Sequence, residues 1–209
     1  MILKMYRANS ERTGFYETTG VRRFKGIKWK FRQSNAVRGW TPSWNCGIAS
    51  DNGIVCISNS GGNLYGLTSQ TGKEIWTHKL KKCNDFVYPV VAKNTIYLSY
   101  RQMDYKTVDE YLLAIDLYSG QKKWEFKFPL NLKTFTFDFA LTYSSPAVSN
   151  DVIFVGSGNG YLYAINALSG EVIWSFKTTK NKPLTTPAVG KDIVAVYSRD
   201  GYLYAIDIF

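Results

Sequence analysis

Histidine is almost missing from this sequence: His78 is the only one. A His-rich metal centre is therefore excluded, and a Ser-His-Asp triad would have to use His78, which no motif supports. The three cysteines, Cys46, Cys56 and Cys83, lack the C-x-x-C spacing of a zinc or redox site. An odd number cannot pair completely, so they are read as reduced, small core residues. No glycine-rich phosphate loop follows a nucleotide-binding pattern; "GSGNG" at 156–160 sits between two alternating runs, with no helix behind it. No run approaches the roughly 20 apolar residues of a membrane-spanning helix. The opening "MILKMYRANSERTG" lacks the apolar region and cleavage site of a secretory signal. The expected location is therefore cytoplasmic, or periplasmic or extracellular if further residues precede this start.

Aromatic residues are plentiful, with 15 Tyr, 12 Phe and 6 Trp, and together with Val, Ile and Thr they favour strands. The net charge of +10 is unevenly placed. Residues 1–40 hold ten Lys/Arg and two Glu, whereas the other 169 residues carry a net charge of only +2. Residues 1–25 are read as a basic extension, and 26–209 as the folded unit.

Three phrases repeat: "GGNLYGLTSQTGKEIWTHKL" at 61–80, "DEYLLAIDLYSGQKKWEFKF" at 109–128 and "NGYLYAINALSGEVIWSFKT" at 159–178. Their tryptophans, Trp76, Trp124 and Trp174, lie 48 and 50 residues apart. Four residues before each stands a glycine, Gly72, Gly120 or Gly170, and ten before each a small residue, Gly66, Ala114 or Ala164. A period of this length marks a solenoid, propeller or array. Each phrase alternates with period two on both sides of a Ser/Thr-Gly turn, which predicts a hairpin. The small residue leaves room for a bulky neighbour, and the tryptophan is the candidate to fill it.

A second strand pair precedes each hairpin, ending in "IVCISNS" (54–60), "TIYLSYR" (95–101), "VIFVGSG" (152–158) and "IVAVYSR" (193–199). Short apolar runs bounded by turn residues suit strands buried on both faces. The expected fold is an all-β propeller of four-stranded antiparallel blades, strands A to D, with about four blades in this chain. The blade units are about 41–80, 84–129, 139–179 and 184–209. The last unit stops at "DGYLYAIDIF" without its tryptophan strand. "GIKWKFR" at 26–32, with Trp29 placed 47 residues before Trp76, supplies that pattern at the other end. It is expected to complete the final blade, in the same molecule or in a twin.

The motif Ala-x-Asp-x-x-Ser/Thr-Gly-x-x-x-Trp resembles the repeat of the quinoprotein-like propellers. That family includes dehydrogenases using pyrroloquinoline quinone and non-enzymatic members such as the propeller lipoprotein of outer-membrane assembly. Ala114, Asp116, Gly120 and Trp124 match in full, Asn166 and Thr68 replace the Asp elsewhere, and Ala205 and Asp207 match the first half only. The resemblance implies seven or eight blades in one ring. Four blades here imply either a small self-closed monomer or a head-to-tail homodimer.

Strand alternation puts D–A and B–C connections on one face, where the irregular segments 32–44, 102–110 and 129–142 fall. Long loops on a rigid scaffold are where binding usually sits. The candidate partner-binding residues are Arg38, Trp40, Trp44, Tyr105, Phe135 and Phe137, with Phe139 beside them. The alternating phenylalanines equally suit an added strand. Trp29, Trp76, Trp124 and Trp174 are read as structural, as are the repeat glycines, Ala114, Ala164 and Ala205. Lys28, Lys30 and Arg32 alternate with Trp29 and Phe31, which reads as a solvated face guarding an edge; with Arg22, Arg23 and Lys25 they also make an anion-binding segment conceivable.

The expected function is a non-catalytic scaffold that binds a protein or peptide, with no cofactor and no catalytic or metal residues. Two alternatives stand beside it. One is a quinone-dependent dehydrogenase or other small-ligand propeller. The other is an anion-binding module through residues 22–38, with nucleic acid or an anionic surface as its ligand.

Overall fold

A computed structural model describes residues 26–32, 47–59, 62–80, 83–86, 88–103, 107–129 and 144–208. These residues form strands and turns and no helix. The first sheet contains β1 (Ile48–Asp51), β2 (Ile54–Ser58), β3 (Asn63–Thr68) and β4 (Glu74–Lys79), hydrogen-bonded in that order. The second contains β5 (Cys83–Phe86), β6 (Val90–Ala92), β7 (Thr95–Met103), β8 (Val108–Asp116) and β9 (Lys122–Lys127). Here β5 and β6 both pair with β7, so two short strands share the inner position, with Pro89 between them. Proline has no N–H to give a ladder, which accounts for the break. The third sheet is β10 (Ala147–Ser149), β11 (Val152–Gly156), β12 (Tyr161–Asn166) and β13 (Val172–Lys177). The fourth has three strands, β14 (Ala188–Val189), β15 (Ile193–Tyr197) and β16 (Leu203–Asp207). All pairings are antiparallel, and the result is a β-propeller array of four blades.

Each blade turns tightly between its first two strands. Asn52-Gly53, Lys93-Asn94 and Asn150-Asp151 all have positive φ at both positions, the geometry of a two-residue hairpin turn that follows the strand twist. Each A–B turn then binds the start of its own C–D turn: Ser69 N–H donates to Gly53, Leu117 to Asn94, Ala167 to Asp151 and Ile208 to Asp192.

The tryptophan does two jobs. Within a blade it stands directly opposite the small residue of the next strand inward: Trp76 opposite Gly66, Trp124 opposite Ala114, Trp174 opposite Ala164. The bulky neighbour expected at that small position is thus a strand of the same blade. The indole then reaches to the following blade. Trp76 Nε1 donates to the Leu117 carbonyl (2.9 Å) and Trp124 Nε1 to Ala167 (3.1 Å). It also lies against the turn glycine there: a Cβ on Gly120 would sit 2.6 Å from Trp76, and one on Gly170 2.8 Å from Trp124. Those glycines have φ of +69° and +77°, so the position excludes side chains by conformation and by space.

Three apolar cores result, one at each joint between consecutive blades. The first gathers Cys56, Leu64 and Trp76 with Ile96, Leu98 and Leu113. The second joins Tyr97, Leu112 and Phe128 to Val155 and Tyr163, and the third joins Phe154 and Leu162 to Leu184 and Val194. Fully burying one such leucine stabilises by about 1.5–3 kcal/mol. Cys56, wholly buried, behaves as a small hydrophobe, and burial pushes its thiol up to about 12.

The inner strands touch in series, β1 to β6, β6 to β10 and β10 to β14, and no comparable contact returns from β14 to β1 among the described residues. The four blades therefore form an open arc. Residues 26–32 carry the outer-strand pattern foreseen for them, but they pair with no strand of the last blade. They lie on the first one. Trp29 Nε1 donates to the Ser69 carbonyl (3.0 Å), and its ring covers Gly72 at 2.6 Å from a notional Cβ. The physical reason is the forward reach of the tryptophan: an outer strand is held by the blade that follows it, and that blade is the one built from β1 to β4.

Candidate functional site

The B–C end of the array is where the blades differ. In the third and fourth blades a four-residue turn closes the B–C hairpin, with Gly160 N–H donating to Ser157 and Gly201 to Ser198; the first uses the same bond, Gly62 to Asn59. In the second blade the hairpin continues instead. β7 and β8 run nine residues each, against five or six in the corresponding strands of the first and third blades.

The extension contains a buried ion pair. Arg101 and Glu110 are directly opposed across β7 and β8 and are 5% and 6% exposed. Arg101 Nε donates to Glu110 Oε1 at 2.9 Å, and a second guanidinium nitrogen reaches the same oxygen at 2.5 Å. The other carboxylate oxygen accepts from Ser157 Oγ (2.6 Å) and from the Gly158 N–H (2.9 Å). Ser157 and Gly158 belong to the B–C turn of the next blade, so Glu110 clasps two neighbouring blade ends. Both oxygens of the carboxylate are hydrogen-bonded, which offsets the cost of burying the group. Around the clasp, Tyr100 stacks on Tyr111 (4.9 Å between centroids), and Lys127 pairs with Asp109 (2.8 Å) and lies 5.7 Å from the Tyr111 ring. Burial and the neighbouring Asp109 push the Tyr111 phenol above its ordinary value, while the hydrogen bond to Asp109 pushes the Lys127 ammonium up.

The opposite end holds the C–D turns and a cleft of about 330 Å³ between the second and third blades, lined by Lys93, Thr95, Tyr97, Val148, Asp151 and Leu168 among others. Lys93 and Asp151 bridge it at 2.5 Å and are both about half exposed, a pairing worth little in water. Asp116 organises the neighbouring turn. Its Oδ1 accepts from the Tyr118 and Ser119 N–H groups and from Ser119 Oγ, and Lys123 stands 3.3 Å from its Oδ2. Burial pushes this carboxyl up, but the hydrogen bonds outweigh it and leave the group below its ordinary value. Asn166 receives the same two backbone bonds in the next blade, which explains why Asp and Asn alternate at that repeat position.

The sequence-derived partner face, Arg38, Trp40, Trp44, Tyr105, Phe135 and Phe137, lies outside the described residues, as do Phe139, Arg22, Arg23 and Lys25. Trp76, Trp124 and Trp174 stand opposite Gly66, Ala114 and Ala164, whereas Trp29 is held on the first blade and not in the last. Lys28, Lys30 and Arg32 are exposed while Trp29 and Phe31 turn inward, the pattern of a solvated strand face. His78 lies in β4, with Nδ1 3.0 Å from the Gly120 carbonyl oxygen, a packing position. Sequence reading assigned neither Arg101 nor Glu110 to a site. Counting the register outward from Ala114 would have put the two opposite each other.

A family model described as outer membrane protein assembly factor BamB matches residues 26–132 and again 108–208. The chain belongs to this BamB-like family of PQQ-type propeller repeats. BamB from Moraxella catarrhalis superimposes with a TM-score of 0.67 at 15% identity, over 98% of this chain and 54% of that one. Quinohemoprotein alcohol dehydrogenase from Comamonas testosteroni gives 0.61 at 16% identity, over 78% of this chain and 33% of that one. An uncharacterized protein of Rickettsia conorii is 25% identical over 134 residues, 61% of this chain and 30% of its own length. The chain thus spans about half of BamB and under a third of the rickettsial relative. Likeness at such identity establishes the BamB-like fold and leaves chemistry to the site.

Among the described residues no group of three or more His, Cys, Asp or Glu is placed to hold a metal ion. The acid buried at the B–C end, Glu110, has both oxygens engaged by Arg101, Ser157 and Gly158. Among the described residues, no helix is long and apolar enough to cross a membrane.

Proposed function

We propose that this protein is a non-catalytic propeller scaffold that binds a protein or peptide partner through the B–C and D–A end of its blades. The carrying observation is the Arg101–Glu110 clasp. Two hydrogen bonds tie the projecting hairpin of one blade across its own strands and two more join it to the turn of the next, and so make a rigid platform. Rigid platforms lower the ordering cost of binding. Strand alternation assigns the irregular segments 32–44, 102–110 and 129–142, rich in Trp, Phe and Tyr, to the same face, and such residues dominate binding hot spots. BamB's description as an outer membrane protein assembly factor gives a partner class to try first, the extended β-segments of outer-membrane proteins.

The test is binding of such peptides, followed by fluorescence anisotropy, to the wild-type chain and to Trp40→Ala and Trp44→Ala. A loss of about tenfold or more in either variant is expected for hot-spot aromatics. Equal binding by all three chains, or none by the wild type, overturns the reading. Pyrroloquinoline quinone with calcium should leave the melting temperature unchanged; a rise at high ligand excess would favour the dehydrogenase reading instead. Nucleic-acid binding that falls steeply with salt and disappears in an Arg22→Gln/Arg23→Gln/Lys25→Gln chain would favour the anion-binding reading.

A further inference from the structure

The two ends of the arc are complementary. At one end, β16 is an inner strand with no outer strand paired to it among the described residues. Leu203 shows what that means. Its counterparts Leu64, Leu112 and Leu162 are fully buried, facing His78, Phe126 and Phe176 across the outer-strand pair, whereas Leu203 is 70% exposed. Tyr202 is 57%, Tyr197 48% and Ile193 45% exposed on the same blade. Such an apolar edge is a template for pairing.

At the other end, residues 26–32 have the position of an outer strand and, among the described residues, no inner strand of their own. Phe31 meets Tyr65 edge-on at 5.4 Å, repeating Phe126 on Tyr163 (5.8 Å) and Phe176 on Tyr204 (5.3 Å). Trp29 repeats the indole-to-carbonyl bond of Trp76 and Trp124. This segment therefore already holds the geometry of an outer strand toward the blade that follows it. Its other edge pairs with no strand among the described residues, and Ile27 is 68% exposed.

We propose that two copies of this chain join head to tail into one closed eight-bladed ring, each lending residues 26–32 to the β16 edge of the other. The three complete blades dictate the register. Ala205 faces Trp29 of the second copy, as Ala114 faces Trp124. Leu203 faces Phe31, as Leu162 faces Phe176. Tyr202 faces Arg32, as Tyr111 faces Lys127 and Tyr161 faces Lys177, where each ammonium lies over the ring at 5.7 and 5.6 Å. A positive side chain over an aromatic face is favourable, and Arg32 with Tyr202 extends the series. A second copy is the occupant because residues 26–32 are held on the first blade of their own arc, while Leu203 on β16 stays 70% exposed. A two-fold ring leaves no sheet edge uncovered.

The test is the mass in solution of the 209-residue chain. Light scattering at micromolar concentration is expected to give twice 23.8 kDa. A mass of 23.8 kDa at all concentrations, or an open series of larger species, overturns the proposal. A second measurement holds even if the ring is weak. The double variant Arg32→Cys/Tyr202→Cys, oxidised and run without reductant beside the wild type, is expected to give covalently joined chains. Closure within a single chain, or no bond at all, overturns it. Leu203→Lys should raise the dissociation constant about tenfold or more while the melting of each arc stays cooperative. An unchanged constant counts against the register.

Discussion

Leu112 in β8 and Leu203 in β16 occupy the same place in the repeat, yet one is fully buried and the other 70% exposed. Both lie on the third strand of a blade, two residues before the repeat alanine. The difference is what stands beside them. Leu112 has the outer strand β9 across from it and the third blade behind it; Leu203 has neither among the described residues. An apolar residue in a repeat thus acquires its energetic weight from its neighbours, and the closed joint and the open edge are two states of one design.

The sharpest way to break this comparison is at the closed joint between the second and third blades. Glu110→Ala leaves the Arg101 charge buried without its carboxylate and frees the Ser157 and Gly158 donors. A loss of about 3–5 kcal/mol in unfolding free energy is expected by urea titration. A loss near zero would mean that the clasp is not formed. Next comes the leucine pair. Leu112→Ala should cost about 2–5 kcal/mol. Leu203→Ala, at a dilution where single chains dominate, should stay within about 0.5 kcal/mol, as surface changes do. Similar losses in both would show that Leu203 is covered even in the single chain. Gly120→Ala should cost more than about 1 kcal/mol, because the residue has φ of +69° and the Trp76 ring fills the space a methyl would need. The smallest effect is at the turn. Asp116 is held below its ordinary value of 3.8, so its contribution is present above that pH and is lost as pH falls through and below it. Asp116→Asn keeps the acceptor that Asn166 shows to be sufficient. The stability gap between wild type and this variant should therefore narrow from pH 6 toward pH 2 in thermal melts.

Much of the blade was legible beforehand. Period-two alternation, the turn glycine and the tryptophan are local signals, and Trp76, Trp124 and Trp174 stand where those signals put them. The buried pair was legible only in retrospect. Arg101 and Glu110 look like loop charges until the register of a nine-residue hairpin sets them face to face, and the link to Ser157 crosses 47 residues of sequence. The broken inner strand of the second blade had one written sign, Pro89. The cleft between Lys93 and Asp151 had none, since it is bounded by turns of two different repeats.

By itself the sequence determined the blade: strand alternation, turn chemistry and the pairing of a small residue with an indole act over a few residues and recur with the repeat. Only the tertiary structure decided how the blades meet. The tryptophan of one strand is anchored by the carbonyl and the glycine of the blade that follows, so residues 26–32 belong to the first blade's side of the arc. Whether a ring closes depends on the angle accumulated over every joint, a long-range sum that no single repeat encodes.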